Sequence, residues 1–72
     1  MNAMDSLGTH IANLRAAKGI EAKKLSKGIC STKVLMLIEN NKLIPSLPLY
    51  IALMERLGEE PIYSYQLPAN DY

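Results

Sequence analysis

The sequence predicts an all-α fold, a compact bundle of four to five helices. Three observations carry that expectation. Apolar residues recur at helical spacing, as at Met4, Leu7, Ile11 and Leu14. With 49% hydrophobic residues but no Phe or Trp, the core is expected to be built from Leu, Ile, Met, Val and Ala, residues that suit helices. Glycine and proline punctuate the chain where helices would stop or start. At 72 residues there is room for one core only, and no disulfide can brace it, because Cys30 is the single cysteine.

The first helix is expected from about Asp5 or Ser6, either of which can cap it, to Lys18, with Gly19 ending it. A second, barely two turns long, covers Glu21 to Lys27, with Ala22, Leu25 and Ser26 on its inner side and Gly28 at its end. Ser31 can accept from the free amides of a third helix, Thr32 to Asn41, whose inward positions are Leu35 and Ile38. Pro45 closes that region. Ser46 then caps a fourth helix, with Pro48 tolerated in its first turn and an apolar surface of Leu49, Ile51, Leu53, Met54 and Leu57 up to Gly58. Residues 5–58 read as the domain, and residues 59–72 as a short tail or linker in which Ile62, Tyr63, Tyr65 and Leu67 lie between prolines.

Charge is divided along the chain. Residues 15–42 carry seven basic side chains against two acidic ones, a net of +5, whereas residues 43–72 carry one against four, a net of −3. A basic half of this size is the footprint of something that approaches phosphates, although a solvated lysine face gives the same count. No apolar run nears the roughly 18 residues that span a bilayer, and the N-terminus lacks the pattern of a signal peptide. With its lone cysteine, the chain reads as cytoplasmic.

Two short helices joined by a tight glycine-containing turn, the second entered through a small polar cap, outline a helix-turn-helix. In that geometry the second helix lies in the major groove and its N-terminal residues reach base edges. An ordinary helical hairpin has the same outline, so periodicity stops there. The stretch LGTHIANLRAAKGIEAKKLSKGICSTKVLMLIENNKLIPS, with LYIALMERLG after it, adds specificity. It resembles the DNA-binding domain of phage-repressor-type (Cro/xenobiotic-response-element) transcription regulators, a lambda-repressor-like helix-turn-helix, and most of all the N-terminal domain of the Rgg/PlcR-like peptide-responsive regulators. The anchors are LG at 7–8, LR at 14–15, KG at 18–19, Leu25, ICS at 29–31, IEN at 38–40, Pro45 with Ser46, and RLG at 56–58. The ICS turn, one residue shorter than in phage repressors, carries the closer likeness.

The resemblance implies sequence-specific binding of double-stranded DNA, with the helix at about 32–41 as reader. It implies DNA contacts at Ala22, Lys23, Ser31, Thr32, Lys33, Met36 and Leu37, with Asn40 and Lys42 near phosphate and Lys24 and Lys27 flanking the groove. It implies an internal ion pair between Arg15 and Glu39 that clamps the reading helix to its support. A homodimer on a two-fold-related site is expected, because one module reads few base pairs. The family's peptide-binding C-terminal domain is absent from this chain, which reads as either an excised fragment or a stand-alone small regulator, with the ending YSYQLPANDY favouring the fragment.

The sequence departs from the family in two places. Where Ser or Thr usually caps the second helix before Gln, this chain has Glu21 and Ala22. Where Ser and Arg usually face the groove, it has Met36 and Leu37, and leucine can only touch a thymine methyl or leave the groove unread. The alternative is therefore a protein-interaction or dimerisation module whose apolar face, at Met36, Leu37, Leu43, Ile44 and the tail tyrosines, binds a partner or a second copy. No catalytic chemistry is expected. Glycine-rich phosphate loops and serine triads are missing, the carboxylates are scattered, and Cys30 occupies a turn position that wants a small packed residue. His10 has no second ligand in register, so neither metal nor cofactor is expected.

Overall fold

The computed structural model describes residues 3–61, with side chains from Leu7 onward. The expected side-chain packing of Met4 lies outside the described side chains, and the tail reading at Ile62, Tyr63, Tyr65 and Leu67 outside the described residues. The described chain forms four helices and no strand: α1 (Ala3–Ala17), α2 (Ala22–Ser26), α3 (Thr32–Glu39) and α4 (Leu47–Leu57). Its fold class is therefore all-α, with α2, the turn at 27–31 and α3 forming a helix-turn-helix.

Boundaries shift from the expected ones for local reasons. The third helix stops at Glu39 rather than Asn41, because Asn41 takes a left-handed φ of 59°. There its N–H reaches back to the Ile38 carbonyl at 3.0 Å, and the Lys42 N–H to Leu37 at 2.9 Å. Asparagine tolerates this conformation better than most residues. The second helix is shorter than expected by one residue at each end, and Glu21 at its N-cap makes no side-chain capping bond. Ser31 and Ser46 do cap, accepting from Val34 N–H at 3.1 Å and Leu49 N–H at 3.3 Å. Gly58 ends α4 with a φ of 75°.

The core gathers Leu7 and Ile11 of α1, Leu25 of α2, Leu35 and Ile38 of α3, and Leu49, Tyr50, Leu53, Met54 and Leu57 of α4. Tyr50 corrects the expectation of a wholly non-aromatic core: it is 0% exposed and the largest fully buried side chain. A buried phenol demands a partner for its hydroxyl, and among the described residues no buried side-chain nitrogen or oxygen lacks one. Ile51, part of the expected apolar surface of the fourth helix, is half-buried and packs against this core.

Two side-chain junctions hold α3 against α1. At one, Gly8 lies so close to α3 that a Cβ there would sit 1.9 Å from the Ile38 carbonyl oxygen. Its N–H donates to Asn41 Oδ1 at 3.1 Å, and Asn41 Nδ2 donates to Thr9 Oγ1 at 3.0 Å. At the other, Arg15 meets Glu39. Gly8 and Arg15 are seven residues apart, two helical turns along one face.

Candidate nucleic-acid interface

The site is best built from the residues that fix α3 from behind. The Arg15 guanidinium donates Nε–H to Glu39 Oε2 at 2.6 Å and Nη2–H to Oε1 at 2.9 Å, a two-pronged pair, and Nη1–H to the Ile20 carbonyl at 2.9 Å. The Glu39 side chain is 4% exposed and that of Arg15 22%. Hydrogen bonding to Glu39 raises the Arg15 pKa above its ordinary value, against the opposing effect of partial burial. One side chain thus ties α1, the α1–α2 turn and α3 together. Such a forked pair fixes direction as well as distance.

The N-terminal end of α3 is held to α2. Thr32 Oγ1 lies 3.3 Å from Ser26 Oγ, and Ser26 Oγ donates to the Lys23 carbonyl at 3.3 Å. The far end of α2 is tied to α4, where Arg56 Nη1 donates to the Lys24 carbonyl at 3.1 Å and the Lys27 carbonyl at 3.0 Å. These are orphan carbonyls at the end of a five-residue helix, and a cation there also suits the helix dipole.

With its back fixed at Leu35, Ile38 and Glu39, α3 turns Thr32, Lys33 and Met36 to solvent, and Asn40 is exposed just beyond its end. Leu37 is half-buried. Ser31 is exposed at the cap, Ala22 is half-buried against the core at the start of α2, and Lys23 and Lys42 are exposed. Among the described residues Lys23, Lys24, Lys27, Lys33 and Lys42 have no ion-pair partner, whereas Lys18 reaches Glu59 at 3.0 Å. The surface combines free ammonium groups, hydroxyl and amide groups, and an apolar patch. Among the described residues no ligand-sized cavity opens and no three potential metal ligands gather.

Leu43, a member of the expected apolar face, is half-buried and packs on the core, which leaves Met36 at 37% exposure and Ile44 at 45% as the large exposed apolar side chains of that region. Cys30 is half-buried against the core, and burial pushes its thiol pKa up, partly offset by a backbone hydrogen bond from Leu35. A thiol so shifted is a poorer nucleophile at neutral pH. His10 is half-buried. No helix among the described residues is long and apolar enough to cross a membrane.

Sequence reasoning missed Asn41 and Arg56, which position the interface without belonging to it. A basic residue in the last turn of α4 was a signal, but only of a helix end; which carbonyls it would serve depends on how α4 crosses α2.

No protein-family model and no curated protein matches the chain. Among solved structures, the crystal structure of the clp gene regulator ClgR from C. glutamicum superimposes with a TM-score of 0.77. The fold is shared with ClgR. The match covers 83% of this chain and 79% of that one at 23% sequence identity, so it speaks for the architecture, with side-chain roles resting on this chain's own geometry.

Proposed function

We propose that this chain is the DNA-binding module of a transcription regulator, reading double-stranded DNA in the major groove with the segment at about 32–41. The observation that carries this reading is the outward presentation of Thr32 and Lys33 at the start of α3, on a helix fixed from behind by Arg15 and bordered by unpaired lysines. The shared fold with ClgR, a gene regulator by its description, supports it. The contact set is Ala22, Lys23, Ser31, Thr32, Lys33, Met36, Leu37, Asn40 and Lys42. Homodimerisation on a two-fold-related site, kinship with the Rgg/PlcR-like group and a peptide-binding region elsewhere in the full-length protein rest on the sequence resemblance. The role requires no catalysis.

Exposure of Met36 and Ile44 favours a second reading, a protein-interaction module on the same scaffold. Titration of labelled duplex separates the two. Lys33→Glu should weaken duplex binding roughly tenfold, the order of one lost groove contact. Leu37→Arg should strengthen it by adding a cation on the same face. Unaltered duplex binding in both variants removes the contact assignment; self-association without duplex binding selects the interaction module.

A further inference from the structure

Thr32, Met36 and Asn40 follow one another at four-residue spacing along one stripe, and all three are exposed. Their hydrogen-bonding capacity toward a ligand is set by bonds already made inside the protein. A hydroxyl has one proton. Ser26 Oγ lies 3.3 Å from both the Lys23 carbonyl and Thr32 Oγ1, so either hydroxyl can be the donor in the Ser26–Thr32 pair. Asn40 gives one proton of its amide nitrogen to the Met36 carbonyl at 2.8 Å and keeps the second proton and Oδ1 for a ligand. Between these two polar groups stands the Met36 thioether, 37% exposed.

The exposed thioether has a complement among the base pairs. In the major groove an A·T pair presents the adenine N6 amino donor and the thymine 5-methyl, the one apolar group the four bases offer there. On the DNA-binding reading given above, we infer that Met36 reads an A·T pair through the thymine methyl. The recognised group is the methyl, so 5-methylcytosine, which carries it on the same ring carbon, substitutes for thymine where cytosine does not.

The test begins with duplexes that the chain selects from a random pool. Each thymine of the preferred duplex is replaced in turn by deoxyuridine, which removes the methyl alone, and affinity is read by fluorescence anisotropy at low salt. One thymine position should lose about fourfold, the transfer value of one buried methyl group. At that position 5-methylcytosine paired with guanine should bind more tightly than cytosine. In the Met36→Ala chain, thymine and deoxyuridine should bind alike. Equal affinity across the deoxyuridine series overturns the inference, as does a deoxyuridine effect that persists in Met36→Ala. Binding of duplex with no sequence enriched also overturns it while leaving DNA binding in place. Failure to bind any duplex at low salt removes the underlying reading, and this inference with it.

Discussion

Gly8 shows how one residue sets the spacing of two helices. The sequence marks it only as half of an LG pair, yet the distance between its ideal Cβ and the Ile38 carbonyl, 1.9 Å, is well below any tolerable contact, and the obstacle is backbone. Gly8→Ala should force α1 away from α3 and break the Gly8–Asn41 hydrogen bond. The expected cost is about 3 kcal/mol, at the upper end for overpacking. In a domain of this size that lowers the melting temperature by more than about 10 °C, measured by circular dichroism. An unchanged melting temperature would mean that the helices cross farther apart. Asn41 is the partner in this junction, and its left-handed φ is what brings its amide onto Gly8 and Thr9.

At the level of elements, α2 and α3 are too short to be stable alone, since helices below about 12 residues are marginal in water. Each is held by a side chain from a longer helix: Arg15 of α1 grips α3, and Arg56 of α4 grips the end of α2. The two grips differ in burial. Arg15→Ala strands a Glu39 carboxylate that is almost wholly enclosed, and should cost on the order of 2 kcal/mol, somewhat below the value for a fully buried pair because Arg15 is partly solvated. Arg56→Ala leaves two carbonyls that water can reach, and should cost about 1 kcal/mol. Hydrogen exchange distinguishes them: the first variant should lose protection in α3, the second in α2. Equal loss across both helices would mean that they unfold only as a unit.

For the whole molecule, internal pairing sets which cations an anion can reach. Arg15 and Lys18 are paired with Glu39 and Glu59, which removes them from the count available to an anion. Lys24 and Lys27 lie at the end of α2 that Arg56 ties to α4, so phosphate contact is expected to fall on Lys23, Lys33 and Lys42. Three neutralised phosphates give a slope of about −3 when log affinity for duplex is plotted against log salt. A slope near zero would exclude an electrostatic interface; one steeper than about −4 would bring Lys24 and Lys27 into it.

The helices, their serine caps and the inward positions Leu25, Leu35 and Ile38 were legible in the chain, because periodicity and capping are properties of neighbouring residues. Tyr50, Asn41 and Arg56 were not. Their roles depend on what another helix places opposite them, and a tyrosine beside a leucine run reads the same whether it is surfaced or enclosed. The residue types along the outward stripe of α3 were likewise in the sequence. That Thr32 is engaged by Ser26 and Asn40 by the Met36 carbonyl, with an exposed thioether between them, was decided only by the packing of α3 on α2 and the end of α3 at Asn40. A hydrogen-bonding group's capacity toward a ligand is what its own fold leaves over.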